Sequence, residues 1–581
     1  ARADLGRVCR ILEGRHPETN AGMGATVAPS AEWLGSPELH RSLWLLQAAV
    51  GFLLLIACVN LASLLLARAA GRARETAMRA VLGASRGHLV RQALVESSIL
   101  SALGGGAGLG LAYGAIRLLR ALGPDGLPRL STVGLDGRVV AFTFVVVVAT
   151  SLATGLLPVL RVPWRGLVAA LRPGDRGIAG DRRTGRLLRI LVGVEVAASL
   201  VLLVAAGLVV RSFAEVMATE RGFRTERRIL FEVSTPETYG EAEEGAGDNR
   251  ATVMMQALLG RVAQIPQVRA AGAVNMRPLV GGSTGLGIAA ADDPGEVGDA
   301  VPWATWRMVS PGYFRAMGVP LVRGRVFDDA DRIGRPWRVV VSQRVAELLW
   351  PDRDPVGRQA ILWRGQDEVP AEVIGVVGDI RERGLASEPT LAVYIPYYGT
   401  AWTPIHFVVD ADGSPGDLAP TFRALLSDLD PELPVSSVRT LDAIVADSVA
   451  PRRFAMLLLG IFAVVAVVLS LAGVYGVLSY GVARRSSEIG VRLALGATRR
   501  GVLRLIVTQG MRPVLAGMAV GAGVALALSR LLSGLLFGVT AADPGTYALV
   551  SVALALAAAG ACAIPALRAL RLDPLQVLRE E

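Results

Sequence analysis

Long apolar segments dominate the hydrophobic pattern of this chain and alternate with short arginine-rich turns. Seven of these segments reach the length of about 20 residues that an α-helix needs to cross a hydrocarbon core of about 30 Å. So many in one chain indicate a polytopic α-helical membrane protein rather than the buried helices of soluble domains. The seven predicted spans are residues 44–67, 93–116, 138–160, 188–210, 454–480, 503–535 and 545–567.

One long polar region, residues 212–452, interrupts the apolar pattern and is richer in Pro, Gly and Asp. Short β-branched runs alternate within it with stretches of helical periodicity, which predicts an α+β domain. Its predicted strands are residues 229–233, 270–275, 339–342, 372–379, 406–409 and 435–438, and its predicted helices are residues 252–265, 344–349 and 418–429.

The distribution of arginine predicts the orientation in the membrane. All 60 basic residues are arginine, and they concentrate after the first predicted span, between the third and fourth, and after the fifth. Because cytoplasmic loops carry the excess of positive charge, these three segments are expected inside the cell. Residues 212–452 and the short loop 537–544 then lie outside, and the C-terminus lies inside. We interpret residues 1–41 as the tail of a truncated first outer domain.

The composition excludes several classes of function. Without lysine, these residues cannot form an ordinary Walker A phosphate loop. Three cysteines are too few for a disulfide framework or a zinc site, so no cofactor or metal is expected. The arginines behind the net charge of +10 cluster beside the predicted spans, where positive charge sets membrane orientation. We therefore expect no nucleic-acid partner. The loop Gly281–Gly285 fits the pattern G-x-S-x-G, but no strand-to-helix pattern flanks it, so we interpret it as a glycine-rich loop.

A segment that follows the first predicted span returns after the fifth, 413 residues later. Residues 75–112 and 488–525 share eleven of 38 positions without a gap. A repeat at this distance predicts two copies of one membrane unit in a single polypeptide. The recurring residues are Glu75, Arg79, Gly83, Ala84 and Arg86 in the first copy, and Glu488, Arg492, Gly496, Ala497 and Arg499 in the second.

The order of these residues predicts a short exposed helix in each cytoplasmic turn. The glutamate and the arginine four residues later form an i,i+4 pair, which stabilises such a helix. The Gly-Ala pair that follows is typical of a helix end, and Arg86 and Arg499 then face an acidic partner surface or lipid phosphate. The alternative is a turn whose arginines serve membrane orientation alone.

Two further features lie inside the predicted spans. Gly104 and Gly108 recur as Gly517 and Gly521, and small-x-x-x-small patterns of this kind let membrane helices pack closely. They predict the interface between the two membrane units. Glu195 lies within the fourth predicted span, where an acid is a candidate functional residue. We expect its carboxyl to hydrogen-bond to a neighbouring helix, with a role in transport as the alternative.

Several ordered motifs carry a family resemblance. They are Ser310–Arg325 (SPGYFRAMGVPLVRGR), Asp354–Gly357 (DPVG), Ile374–Asp379 (IGVVGD), Arg453-Phe454, Gly473–Val477 (GVYGV) and Glu488–Ala497 (EIGVRLALGA). In this order they resemble the MacB/FtsX-like permeases of ABC transporters, specifically the tandem-duplicated type with a MacB-like periplasmic core domain. The resemblance covers almost all 581 residues. This sequence departs from the family pattern at its N-terminal end, where the first span and most of the first core domain are missing.

The resemblance implies a division of the chain into six parts. These are a truncated periplasmic core domain (1–41), a first FtsX-like three-span unit (42–162), a cytoplasmic linker (163–187), the first span of the second unit (188–211), a MacB-like periplasmic core domain (212–452) and a second FtsX-like three-span unit (453–581). The expected fold is thus an α-helical polytopic membrane protein of about seven spans with an α+β periplasmic domain.

The resemblance also implies a function. A separate cytoplasmic ABC ATPase dimer hydrolyses ATP, and the non-catalytic permease transmits the resulting motion to its periplasmic domain, for export or extraction of a substrate. The repeated helices are then the ATPase-coupling sites. The implied location is the bacterial inner membrane, with lipid and a periplasmic adaptor or substrate as further partners. The alternatives are an ATPase-independent secondary transporter and a membrane-anchored sensor.

Overall fold

The computed structural model describes residues 2–20, 24–25, 37–71, 86–122, 134–160, 178–239, 249–279, 285–292, 301–331, 336–364, 367–397, 403–483, 486–532, 534 and 536–570. The chain divides into two compact units. One contains Ala1–Leu34 and Val216–Ala450, and the other contains Gly35–Glu215 and Pro451–Glu581.

The helices, in chain order, are α1 (Arg2–Arg15), α2 (Pro17–Asn20), α3 (Pro37–Gly71), α4 (Arg86–Leu122), α5 (Gly137–Leu160), α6 (Ile178–Ala218), α7 (Arg250–Val262), α8 (Tyr313–Met317), α9 (Gln343–Leu349), α10 (Pro415–Ser427), α11 (Leu441–Ala483), α12 (Ser486–Ala494), α13 (Arg499–Leu532) and α14 (Pro544–Ala569). The strands are β1 (Arg228–Val233), β2 (Val268–Val274), β3 (Gly285–Ala290), β4 (Trp303–Val309), β5 (Leu321–Gly324), β6 (Trp337–Ser342), β7 (Gln359–Arg364), β8 (Asp367–Val377), β9 (Ala392–Pro396), β10 (Ile405–Ala411) and β11 (Val435–Thr440).

The unit containing Val216–Ala450, the outer domain, is built on one mixed sheet. At one end of the sheet, β10 lies between β1 and β2 and is antiparallel to both, while β11 pairs with the other edge of β1. Helices α7 and α10 cover this part with apolar side chains such as Met255 and Phe422. The ring of Phe231 on β1 stacks on the ring of Phe407 and on that of Phe422, at centroid distances of 4.9 and 4.7 Å.

The other end of the sheet closes on itself. The strands β4, β3, β7, β8, β6 and β9 pair in that order, and β9 returns to pair in parallel with β4. Closure removes the free edges that an open sheet would present. The two ends of the sheet are joined where β2 meets β4, with Val274 opposite Val309.

The strands and helices predicted for the outer domain agree with the structure in type and position. Each predicted strand overlaps one of β1, β2, β6, β8, β10 and β11, and each predicted helix overlaps one of α7, α9 and α10. The ends differ by a few residues, as expected where fraying and capping set the boundary. The Gly281–Gly285 loop lies almost entirely outside the described residues.

Six of the seven predicted spans coincide with helices that are long and apolar enough to cross a membrane. These stretches are Arg41–Leu64, Val90–Leu118, Gly185–Ala218, Leu441–Ala483, Arg499–Arg530 and Pro544–Arg568. The remaining predicted span, residues 138–160, coincides with α5. The apolar stretch described there, Gly137–Leu152, is shorter than the other six. The fold is therefore a polytopic α-helical membrane protein with an α+β domain.

Helix α6 lies at the centre of the membrane unit. One face packs against α3 and α11 through Ala49, Ile56, Ala198, Leu202, Ala206, Leu459, Ala463 and Ala466. A second face packs against α13 and α14 through Val192, Val196, Leu200, Val204, Leu208, Val514, Leu554 and Ala558. Because α3 lies in the first predicted three-span unit and most of α11 lies in the second, this packing joins the two predicted units.

Candidate functional site

The second copy of the repeated segment folds as the short helix α12, as its sequence predicts. The guanidinium of Arg492 lies 2.6 Å from the carboxylate of Glu488 one turn earlier, and both side chains are about half exposed. The pair stabilises a helix that is too short to be stable from propensity alone. The first copy cannot be compared, because Glu75, Arg79, Gly83 and Ala84 lie outside the described residues.

A glycine ends α12. Gly496 has a φ of +92°, a left-handed conformation that other residues adopt only with strain. The backbone N–H of Ala497 donates to the carbonyl of Arg492 at 2.9 Å, which is the bond that closes a Schellman motif. The prediction that Gly496 and Ala497 form a helix end agrees with this geometry.

The next helix starts at once. The hydroxyl of Thr498 accepts from the backbone N–H of Gly501 at 3.2 Å and so caps the first turn of α13. Arg499 and Arg500 lie exposed in that turn, where the positive end of the helix dipole disfavours cations. Within the described part of the chain, neither guanidinium forms an ion pair. Arg86 likewise begins α4, the helix equivalent to α13 in the first repeat.

One side chain anchors α12 to the ends of its neighbours. Ile489 is buried in a small cluster with Val502, Ile506, Ala566 and Leu570 from α13, α14 and the residue that follows α14. On the surface of this segment, Val491 is 42% and Leu495 82% exposed. The segment therefore presents two apolar side chains beside a charged pair, while its buried face is fixed to α13 and α14.

The glycine pairs of the two repeats have different surroundings. A Cβ built on Gly521 would lie 2.8 Å from the backbone oxygen of Ala197, and one built on Gly517 would overlap the backbone of Gly193, so α13 packs directly on α6. In the first repeat, a Cβ on Gly104 or on Gly108 meets no described atom within 4 Å.

Among the described residues, the second glycine pair contacts α6 and the first pair has no neighbour, so a shared role at the interface between the repeats stays a prediction. The close approach in α4 occurs at Gly105, where a Cβ would lie 2.5 Å from the side chain of Val147 on α5. The contact between the repeats instead includes Asn60 on α3, whose amide donates to the backbone oxygen of Leu469 on α11 at 2.9 Å. A polar Asn within an apolar span was the available signal for this contact.

Glu195 lies in the predicted span but without the hydrogen bond that we expected. Its side chain is 1% exposed, and neither carboxylate oxygen has a hydrogen-bond partner among the described residues. It faces Gly473 on α11, where a built Cβ would lie 2.7 Å from Oε1. The glycine thus provides the space that the carboxyl group occupies.

The outer domain holds its own buried charges. Asp331 is fully buried and accepts from both terminal nitrogens of Arg325 at 2.6 and 2.9 Å, and this pairing lowers the pKa of its carboxyl to about 2. Burial and the nearby Arg277 lower the pKa of His406 to about 4. Among the described residues, no group of three or more His, Cys, Asp or Glu side chains could hold a metal ion.

Two family models match the chain. The FtsX-like permease C-terminal family matches residues 48–166 and again 460–574, and the MacB-like periplasmic core domain family matches residues 195–426. The double match coincides with the two copies of the repeat. It places the periplasmic domain family on the α+β outer domain and the span before it.

Curated relatives agree with these matches. The chain is 28% identical over 288 residues to a macrolide export ATP-binding/permease protein MacB 2 from Aeromonas hydrophila. This alignment covers 47% of this chain and 43% of that protein. It is 27% identical over 416 residues to a protein named MacB 1/2 from Paracoccus denitrificans. That alignment covers 68% of this chain and 56% of the relative. The chain thus spans about half the length of the curated relatives it matches.

Among solved structures, the periplasmic region of MacB from Actinobacillus actinomycetemcomitans matches with 16% identity and a TM-score of 0.25, over 40% of this chain and 95% of that one. The sequence matches, the repeat and the apolar helices carry the assignment. The chain therefore belongs to the MacB/FtsX-like family of ABC transporter permeases, membrane proteins with a MacB-like periplasmic core domain.

Proposed function

We propose that this chain is the transmembrane subunit of an ABC transporter and that a separate cytoplasmic ATPase dimer docks on α12 and on its counterpart in the first repeat. The observation that carries this proposal is the surface of α12. Two exposed apolar side chains, Val491 on α12 and Leu495 directly after it, stand beside the Glu488–Arg492 pair. Such a mixture of apolar and charged groups is typical of protein contacts.

The anchor of α12 supports a mechanical role. Because Ile489 is buried against α13 and α14, force applied to α12 acts on the ends of both spans. The short Schellman turn leaves little slack between α12 and α13. Motion of a docked ATPase would thus pass into the membrane helices and serve mechanotransmission to the periplasmic domain, for export or extraction of a substrate.

The energy source is proposed to lie on another polypeptide. The curated relatives are named ATP-binding/permease proteins, but no lysine is available here for a Walker A loop. The chain is then a non-catalytic subunit. The distribution of its arginines supports a cytoplasmic location for α12 and the C-terminus and a periplasmic location for the outer domain, in the inner membrane of a bacterium. Arg499 and Arg500, which form no ion pair with any residue that the structure describes, suit an acidic ATPase surface or lipid phosphate.

The test is ATP hydrolysis by the ATPase encoded beside this gene, measured with and without the chain in lipid nanodiscs. Reversing charge with Arg79→Glu and Arg492→Glu together should abolish the effect of the permease on hydrolysis while membrane insertion is retained. The swap Glu488→Arg with Arg492→Glu keeps an intrahelical ion pair but reverses the charges that a partner meets. It should also uncouple hydrolysis, which separates docking from helix stability.

The substitution Leu495→Asp tests the apolar part of the contact. Leu495 is exposed, so the change leaves the core of the chain intact but places a charge in the proposed interface. Co-purification lost in both the swap and Leu495→Asp would support docking on α12. Normal coupling in all three variants, or no association of the ATPase with the unaltered chain, would favour an ATPase-independent transporter or a sensor.

A further inference from the structure

Two tryptophans and one acid lie in a single row across the closed part of the outer-domain sheet. Gly287 on β3 lies directly opposite Trp303 on β4 and, at its other edge, directly opposite Trp363 on β7. Trp363 in turn lies opposite Glu368 on β8. Residues directly opposite one another project from the same face of a sheet, so these four positions form one row across four strands.

The row lies on the face of the sheet that is directed away from the core. The neighbouring positions Leu286 on β3 and Leu362 on β7 belong to the hydrophobic core, and successive side chains of a strand point to opposite faces. Trp303 is 71% exposed, Trp363 is half-buried and Glu368 is exposed. The row therefore presents aromatic surface and one carboxylate to the water around the outer domain.

Glycines in β3 provide the space for the indole rings. A Cβ built on Gly285 would lie 2.5 Å from Cε3 of Trp303, so this ring lies over Gly285. A Cβ built on Gly287 would lie 3.4 Å from the Cβ and 3.5 Å from the Cε3 of Trp363. Covering Gly285 uses one side of the Trp303 ring, and an exposure of 71% leaves the other side accessible to a ligand.

The carboxylate of Glu368 is held at the edge of the second ring. The indole N–H of Trp363 donates to Oε1 of Glu368 at 3.3 Å. Within the part of the chain that the structure describes, Glu368 forms no ion pair. The face of an indole attracts a cation, and a carboxylate without a counter-charge does the same. Both parts of the row thus favour a positively charged group.

The dimensions of the row favour a small molecule over a protein surface. Three strand spacings separate Trp303 from Glu368, which corresponds to about 14 Å. A stable protein–protein contact needs about 800 Å² on each partner, far more than one such row provides. We propose that this row binds a small organic cation, an ammonium group attached to an apolar body. The indoles contact both parts of the ligand, and Glu368 supplies the counter-charge.

The proposal concerns the outer domain alone, so it does not depend on the docking of an ATPase. The test uses the full chain, purified in an uncharged maltoside detergent, with its nine tryptophans replaced biosynthetically by 5-fluorotryptophan. Fluorine NMR then reports each indole. Trp303→Phe and Trp363→Phe identify the two signals of the row by their loss.

The probes are choline, a quaternary ammonium, and 3,3-dimethylbutan-1-ol, an uncharged molecule of the same shape. Choline should shift the signals of Trp303 and Trp363 in a saturable manner. The uncharged probe should bind about two- to fivefold more weakly, as expected for a cation over an exposed indole.

Three substitutions separate the charge from the rings. Glu368→Gln keeps an oxygen for the Trp363 N–H but removes the charge, so choline should bind about two- to fivefold more weakly while the uncharged probe is unaffected. Glu347→Gln is the matched control, because Glu347 is an exposed acid on α9, away from the row, and should change neither affinity. Gly285→Ala should weaken binding of both probes, because its Cβ displaces the Trp303 ring.

Trp306 reports whether each variant keeps its fold. It packs against the core from the opposite face of β4, so its signal should stay unchanged in every variant. If Gly285→Ala alters that signal, Glu368→Gln with its control decides the matter. The proposal is overturned if choline leaves the Trp303 and Trp363 signals in place. Equal binding of the two probes, with no effect of Glu368→Gln, would overturn it as well, because the row would then be an apolar patch only.

Discussion

The glycine contacts of α13 allow a sharp test, because three glycines with different surroundings can be compared. A Cβ on Gly521 would lie 2.8 Å from the oxygen and 2.9 Å from the Cα of Ala197, both backbone atoms that cannot rotate away. On the same helix, a Cβ on Gly523 meets nothing within 4 Å. Gly108, the sequence equivalent of Gly521 in the first repeat, also meets nothing among the described residues.

The expected magnitude follows from two opposing effects. Replacing a helical glycine by alanine contributes up to about 1 kcal/mol of stability through helix propensity. Overpacking a close contact costs about 1–3 kcal/mol, and more where the neighbour is backbone. Gly523→Ala and Gly108→Ala should therefore be neutral or stabilising. The free energy of unfolding of the Gly521→Ala variant should be about 1–3 kcal/mol lower than that of the Gly523→Ala variant.

The assay is thermal unfolding of the purified chain in detergent, followed by the loss of the monodisperse peak in size-exclusion chromatography. A difference of 1 kcal/mol shifts the midpoint by about 2–4 °C for a unit of this size. Gly521→Ala should thus melt several degrees below Gly523→Ala and Gly108→Ala. Equal losses at positions 108 and 521 would refute the reasoning, because they would mean that both glycines pack alike.

Three further predictions concern single contacts. Gly496→Ala should destabilise the end of α12 by about 1 kcal/mol, since alanine is strained at a φ of +92°, and faster hydrogen exchange confined to this turn would report it. Asn60→Leu removes the hydrogen bond to the Leu469 oxygen and should lower the free energy of unfolding by about 0.6–1.7 kcal/mol, and with it the melting temperature. An unchanged melting temperature would argue against that contact. Pairing with Arg325 lowers the pKa of Asp331 to about 2 from 3.8, so its stabilisation is complete above pH 3.8 and is lost as the pH falls towards 2. Asp331→Asn should accordingly cost about 1–2 kcal/mol at pH 7, after allowance for the exposed arginine, and the difference from the unaltered chain should shrink in acid.

Elements that depend on local sequence were predictable. The end of α12 follows from glycine in a left-handed conformation and from one i,i+4 pair, and both are set by residues within a single turn. The strands of the outer domain follow from short β-branched runs such as Val339–Val341. The apolar spans follow from length and hydropathy, since a membrane requires each helix to satisfy its own backbone.

Contacts between distant residues were not predictable in this way. The closure of the β-barrel depends on β9 pairing with β4, about 90 residues earlier, and nothing in either strand specifies that partner. The repeat predicted equal roles for Gly108 and Gly521, but a glycine contact needs a neighbouring helix at the right distance. Helix α6 lies beside Gly521, whereas the described residues provide no such neighbour for Gly108.

The sequence by itself determined the membrane class, the two copies of the repeat, the class of the outer domain and the helix that carries the candidate site. These are consequences of hydropathy, periodicity and turn chemistry, which act over a few residues. The tertiary structure alone decided which faces meet. It placed α6 between α13 and α11 and set Glu195 against Gly473, because packing depends on the shapes of surfaces that lie far apart in the chain.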